Sequence, residues 1–289
     1  MINHVRKPLP KFASSSSISF VKMHGNGNDF VILDQRGHSE SSLSRTLCRA
    51  MTDRQKGIGC DQVIQLQDPK KPETSAHVRF FNQDGSESAA CGNGARCVAW
   101  LLSQGSALPA TVRFSTSAHV HEAQVTSLDE VTIDMGAFTQ AHDEIPLSEG
   151  FDPLAVDVGI PALGMGIAVG MGNPHVIFFV EDLEAHDLTQ LGPRIENHYA
   201  FPSRVNVHFV EQKATTYARQ KTWERGSGLT LSCGSGACAV AAAGYLTSRW
   251  TSHVALSQPG GALACHILEN NHVLLTGPVR QVFQGQWAL

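Results

Sequence analysis

Thr230-Leu231-Ser232-Cys233-Gly234-Ser235-Gly236-Ala237-Cys238 has a relative elsewhere in the chain, Ala89-Ala90-Cys91-Gly92-Asn93-Gly94-Ala95-Arg96-Cys97. Each stretch sets a cysteine before a Gly-x-Gly-Ala turn. Each then enters an apolar, alanine-containing segment, Val98 to Leu102 in the first copy and Ala239 to Ala243 in the second. The pattern predicts a tight turn opening a helix, with the cysteine at its N-terminal mouth. Glycine suits such a turn because it tolerates positive φ and lets another group approach the backbone. The free N–H groups and the dipole at a helix start attract anions and favour a thiolate. Two copies suggest two thiols facing one anionic ligand.

Working outward, the order of elements repeats. Strand-like runs at Ile18–Met23 and Phe30–Leu33 flank the polar turn His24-Gly-Asn-Gly-Asn-Asp29. A helix is expected over Ser41–Arg54, with serines capping its start. Strands follow at Gln62–Leu66 and His77–Phe81. After the first cysteine helix come runs at Thr111–Ser115, Val120–Val125 and Val131–Asp134. In the second half Val176–Val180, a short helix over Ala185–Leu191, Val205–Val210 and Thr215–Thr222 precede the second cysteine helix. Two final strands flank Asn270-Asn271.

Paired polar positions hold nearly one offset. Asn28 and Asn173 lie 145 residues apart, Gln62 and Asn206 144, and Asn82 and Glu224 142, the same as Cys91 and Cys233. Four pairs in one order imply a duplication. The expected fold class is therefore α+β: two pseudo-symmetric domains, each a mixed or antiparallel sheet wrapped around a central helix, with the active site in the cleft between them. The expected division is a disordered extension over 1–17, a first domain over 18–134 and a second over 135–276. The tail 277–289 crosses back to the first domain, since chain ends often lie close together.

Composition narrows the class. The 289 residues suffice for two domains, and 42% hydrophobic with 17% charged residues fits a packed chain. A formal charge of −4 gives no reason to expect nucleic acid or a membrane as partner. No apolar run approaches the roughly 20 residues of a membrane span. Seven cysteines, an odd count, read as thiols of a reducing, cytoplasmic compartment. Cys48, Cys60, Cys97, Cys238 and Cys265 read as packing residues. The cysteine spacings are too wide for a zinc knuckle and no histidine pair follows, so no metal is expected. Gly25-Asn-Gly-Asn-Asp-Phe30 lacks the third glycine of a dinucleotide loop.

Two opposed thiols suit one kind of chemistry. Taking a proton from a carbon beside a carboxylate needs a base on one face, and inversion needs an acid on the other. Cys91 and Cys233 would fill those roles, swapping with reaction direction. Gly92-Asn93 and Gly234-Ser235 would hold the carboxylate with backbone N–H groups. Asn28, Gln62, Asn82, Asn173 and Asn206 lie at turns or strand ends, within reach of a cleft. Arg225 is suited to fork onto a second carboxylate. Glu224 and His175 are the candidates for accepting a proton from a resting thiol.

These residues also carry a resemblance. Phe20-Val-Lys-Met-His-Gly-Asn-Gly-Asn-Asp-Phe30, Gly57-Ile-Gly-Cys-Asp-Gln62 and Phe81-Asn-Gln-Asp-Gly-Ser-Glu87 resemble the diaminopimelate epimerase family. So do Cys91-Gly-Asn-Gly-Ala-Arg-Cys97, Gly172-Asn-Pro-His175, Arg204-Val-Asn206, Glu224-Arg-Gly-Ser-Gly and Cys233-Gly-Ser-Gly-Ala-Cys238. The resemblance covers the chain from about Ser19 onward. It implies epimerisation between LL- and meso-diaminopimelate without pyridoxal phosphate or another cofactor, with Cys91 and Cys233 as the acid–base pair. It assigns Asn28, Gln62, Asn82, Asn173, Asn206, Glu224 and Arg225 to the substrate, and Gly92-Asn93 with Gly234-Ser235 to its reacting carboxylate. A homodimer serving bacterial lysine and cell-wall synthesis is implied as well. Asn26 stands where the family usually has an apolar residue and Cys60 where it often has Phe. The extension has no counterpart in the family. A different amino-acid racemase of the same superfamily, such as one acting on histidine, is the alternative enzyme. A silent amino-acid binding protein is the alternative class, against which two retained thiols argue.

Overall fold

The computed structural model describes residues 17–38, 43–88 and 91–289. Residues 1–16 of the extension expected over 1–17, residues 39–42 and the pair 89–90 lie outside the described residues, whereas Ser17 already belongs to a strand.

The first half contains β1 (Ser17–Gly25), β2 (Asn28–Asp34), α1 (Arg45–Thr52), β3 (Gln62–Gln67), β4 (His77–Asn82), β5 (Glu87–Ser88), α2 (Gly92–Leu102), β6 (Ala110–Ser115), β7 (Val120–Val125) and β8 (Val131–Ala137). The second half contains β9 (Ile167–Gly170), β10 (Pro174–Phe179), α3 (Leu188–Glu196), β11 (Asn206–Ala214), β12 (Tyr217–Glu224), β13 (Gly228–Thr230), α4 (Gly234–Leu246), β14 (His253–Gln258), β15 (Gly261–Ile267) and β16 (His272–Gly277). A last strand, β17 (Arg280–Ala288), closes the chain.

The pairing is the same in both halves. β1 runs antiparallel to β2, β2 parallel to β3, β3 antiparallel to β4, and β4 antiparallel to β5 and parallel to β6, which opens a β6–β7–β8 meander. β9 to β16 repeat each of these relations. Even the register agrees: Phe30 faces Gln62 across the parallel pair in the first half, and His175 faces Asn206 in the second. The halves join where β8 pairs antiparallel with β16, and β17 returns to pair with β1 from Ser17 to His24. The duplication and the α+β class expected from the cysteine stretches are what the chain adopts.

Each sheet wraps one helix. In α4 the residues Gly236–Gly244 are all buried, and a helix apolar all round must be enclosed. In α2 Gly92–Ala99 are buried. Both helices belong to one continuous core with the inward residues Phe30, Ile32, Ile64 and Phe80. The alternate residues Val31, Leu33, Val63 and Phe81 face outward and pack with Cys48 and Met51 of α1. Burial on both faces explains why β2 reads as an unbroken apolar run rather than an alternating one. α3 covers the outer face of the second sheet through Leu188 and Ile195.

Element ends differ from expectation for local reasons. The first helix begins after Ser44, whose hydroxyl accepts from Leu47 N at 3.1 Å. The second outer helix starts at Leu188, because Asp187 caps it by accepting from Thr189 N at 2.9 Å. Ala185, where that helix was expected to start, instead ends a single 3-10 turn, Leu183–Ala185. β14 was not anticipated, although His253–Gln258 alternates buried and open positions. Among the described residues, no helix is long and apolar enough to cross a membrane.

Candidate active site

Cys91 and Cys233 are the N-caps of α2 and α4. Their backbones are extended, and each sulfur accepts a hydrogen bond from the N–H three residues on: Gly94 N at 3.5 Å and Gly236 N at 3.3 Å. A cysteine here takes the place usually held by Ser or Asp. The following glycines are not needed for positive φ, since none of Gly92, Gly94, Gly234 and Gly236 has one. Close approach requires them instead. A Cβ on Gly234 would lie 3.3 Å from Gly92 Cα and 3.4 Å from Asn93 N. One on Gly94 would meet Ile64 Cδ1 at 2.9 Å, and one on Gly236 would meet His208 Cε1 at 2.4 Å. The two helix mouths therefore touch backbone to backbone, beneath Leu275.

On the first-half side, Cys91 donates to Asn28 Oδ1 at 3.7 Å. Asn93 Nδ2 donates to the same oxygen at 3.3 Å and to Ser232 O, across the halves, at 3.2 Å. The Asn28 amide is turned this way because its Nδ2 donates to Asp61 Oδ2 at 2.7 Å. Asp61 is held in turn by Arg54, which also pairs with Asp29 at 2.7 Å. Gln62 donates to Asn82 Oδ1 at 2.9 Å, so these two expected substrate residues meet across β3 and β4.

On the second-half side, Asn206 donates to Pro174 O at 2.9 Å and accepts from Arg225 N at 2.9 Å. The Arg225 guanidinium bonds Ser203 O at 3.0 Å. Asn173 Oδ1 accepts from His175 Nε2 at 2.8 Å. Ser235 Oγ lies 3.7 Å from the Cys233 sulfur. Glu224 lies beside Thr230 and Cys233, and its charge acts on both Cys233 and Cys91, so one carboxyl sits near both sulfurs. Asn28 and Asn93 thus lie with Cys91 and Ser235 with Cys233, Gln62 and Asn82 form a separate pair, and the Arg225 side chain is bonded to Ser203.

The electrostatics overturn the expected thiolate. Burial pushes the Cys91 thiol up to about 12, against the Gly94 N–H and with a further upward push from Glu224. Burial and then Glu224 hold Cys233 well above the usual thiol range. Desolvation exceeds what one N–H and a helix dipole supply. Burial also raises Glu224, against a smaller downward pull from neighbouring Thr230 and Cys233. Both sulfurs are protonated at neutral pH in this conformation. Alkylation of Cys91 by iodoacetamide at pH 8 should accordingly run at least about tenfold slower than that of a free cysteine and keep rising past pH 9. A rate that levels off below pH 8 would show a thiolate at rest.

Sequence reasoning missed several neighbours. Asp61 was visible inside the Gly57–Gln62 motif. Gln258, which accepts from Cys233 N at 2.8 Å, carried no signal because it lies in a strand 25 residues further on. Among the described residues, no three His, Cys, Asp or Glu side chains are placed to hold a metal.

Two cysteine-capped helices that adjoin mouth to mouth in a duplicated sheet-and-helix unit suit an isomerase that works on a carbon stereocentre. The fold is shared with a probable proline racemase from Agrobacterium radiobacter, which superposes with a TM-score of 0.69 at 17% identity, over 94% of this chain and 93% of that one. The diaminopimelate epimerase family matches residues 20–140 and 167–282. The diaminopimelate epimerase of Rhodospirillum centenum is 42% identical over 92% of this chain and 91% of its own length, and that of Afipia carboxidovorans 43% over 92% and 94%. The chain belongs to the diaminopimelate epimerase family.

Proposed function

We propose that the protein interconverts LL- and meso-2,6-diaminopimelate by a two-base mechanism that needs no pyridoxal phosphate. The observation that carries this is the contact between Gly92 and Gly234, which sets two cysteine-capped helix mouths head to head. The N–H groups of Gly92-Asn93 and Gly234-Ser235 hold the carboxylate at the reacting carbon, where negative charge grows as the proton leaves. Glu224, whose charge acts on Cys233, takes the proton from it. The Cys233 thiolate removes the α-proton, and the Cys91 thiol delivers one from the opposite face. The reverse direction exchanges the two roles. Arg225, Asn206, Asn173, Asn82 and Gln62 hold the substrate's far end. His175 has both ring nitrogens engaged, one by Asn173 and one by His208, so the proton-accepting role falls to Glu224.

The halves 18–134, with the tail 277–289, and 135–276 would close around the substrate, excluding water and strengthening these contacts. We also infer a cytoplasmic homodimer. Among the described residues β17 pairs only with β1, and it exposes Val282 and Phe283.

Incubation of LL-diaminopimelate in deuterated water tests the reading. Inversion with deuterium at a single α-carbon is expected. Inversion of histidine with none of diaminopimelate would move the chain to another racemase, and tight binding without exchange would make it a binding protein.

A further inference from the structure

The two helix mouths stand on different floors. Beneath α2, the positions facing Gly94 are Phe30, Ile64 and Phe80, with Val78 beyond them, all buried. The duplication places His175, His208, Thr222 and Gln220 at the same points beneath α4. The strand register confirms it, since Ile64 faces Phe80 in the first half as His208 faces Thr222 in the second. His175 and His208 are fully buried, and Gln220 and Thr222 nearly so. The first half is an internal control: this fold builds the same floor from hydrocarbon. A buried polar floor is seldom more stable than an apolar one of similar volume, so its retention calls for another reason.

The direction of the polar floor can be read from one unambiguous group. The backbone N–H of Cys233 can only donate, and it donates to Gln258 Oε1 at 2.8 Å. Gln258 Nε2 therefore faces Cys233 O at 3.1 Å and Gln220 Oε1 at 3.2 Å. Gln220 Nε2 is left to donate to His208 Nδ1 at 3.1 Å and to Thr222 Oγ1 at 3.1 Å, and the Thr222 hydroxyl, 3.0 Å from the same Nδ1, donates to it as well. His208 then carries its proton on Nε2 and donates to His175 Nδ1 at 2.9 Å. His175 likewise carries its proton on Nε2 and donates to Asn173 Oδ1 at 2.8 Å. Each link settles an amide orientation or a tautomer that geometry alone leaves open. Burial keeps both rings neutral: it holds His208 at about 3, and His175, which also feels His208 and Arg225, well below the usual imidazole range.

We propose that His208 is a positioning residue of the reaction: through His175 it turns the Asn173 side chain so that its N–H₂ group faces the cleft as a donor to a carboxylate at the substrate's non-reacting end. The chain from Cys233 to Asn173 then fixes the place of the acid–base sulfur relative to the place where the far end is held. Asn173 is half-exposed, and its oxygen is taken by His175, so only donors remain to meet the ligand. The first half supplies no such device, because Phe30 cannot orient Asn28; the Asp61 carboxylate does so there. The two ends of the cleft are therefore set by different means, a charged one for Asn28 and a neutral one for Asn173. The carboxylate named as ligand rests on the epimerase reading, whereas the orientation of Asn173 does not.

Two measurements test this, and the first needs neither a variant nor a substrate. Long-range ¹H–¹⁵N spectra of the native protein at pH 7 should show His175 and His208 as neutral Nε2–H tautomers. An Nδ1–H tautomer or an imidazolium at either ring overturns the relay, whatever the substrate proves to be. The second compares His208→Met, which keeps bulk but has no donor, with His208→Gln, which keeps one. The Met variant should lose about tenfold in kcat/KM, mostly through KM, and the Gln variant should recover to within about threefold of native. In an Asn173→Ala background His208→Met should change kcat/KM by less than about twofold. Equal losses in Met and Gln, or full additivity with Asn173→Ala, would reduce His208 to a packing residue. Should the Met variant not fold, the tautomers decide.

Discussion

Cys91→Ala and Cys233→Ala should each lower kcat for inversion of diaminopimelate by at least about a thousandfold, with the fold intact. Each sulfur is a proton carrier on its own face, and neither has a neighbour that could take over. The carboxyl near both, Glu224, acts on each through its charge and is no proton carrier on either face of the substrate. The structural loss is small by comparison. Each alanine removes one N-cap acceptor, from Gly94 N or Gly236 N, which is worth about 1 kcal/mol and about 2–4 °C in Tm. Steady-state kinetics beside calorimetry separate the two effects. Turnover within tenfold of native in either variant would end the two-base assignment.

Gly260→Ala should produce the largest combined loss away from the sulfurs. Its Cβ would sit 1.9 Å from Asn26 O, 2.9 Å from Asn26 C and 3.1 Å from Leu231 O, all backbone atoms. Asn26 cannot swing aside freely. Its φ is 54°, its Nδ2 donates to Ala262 O at 2.9 Å, and its Oδ1 accepts from the buried Arg96 at 3.2 Å. The first-half loop must therefore lift off the β14–β15 turn, taking with it Asn28 and the contact between the halves. Overpacking against backbone costs about 3 kcal/mol, or about 6–12 °C in Tm for a chain of this size. A displacement of about 1 Å at Asn28 should lower kcat/KM by about a hundredfold. Native Tm and activity in this variant would mean that the loop carries no register between the halves. Asn26 thus has a structural role, since its polar side chain ties the loop to the opposite half.

Much of the site was legible because duplication writes the same chemistry twice. The offsets of 145, 144 and 142 residues between paired polar positions proved to be equivalent strand registers. The apolar run from Phe30 to Leu33 marked a strand, but its burial on both faces waited on α1 and α2 to cover it. Asp187 was available as a cap for α3 but was read as helix interior, because a short apolar pattern does not locate its own start.

The sequence by itself determined that two cysteines head two equivalent helices in a repeated unit, since that depends on local pattern and on spacing along the chain. Only the tertiary structure decided why the mouth glycines are glycines, why the thiols are protonated, and how Gln258, Gln220 and His208 run from Cys233 to Asn173. These facts turn on which surfaces are pressed together and what water they exclude. Close approach, desolvation and hydrogen-bond direction are properties of neighbours in space, and most of those neighbours are far apart along the chain.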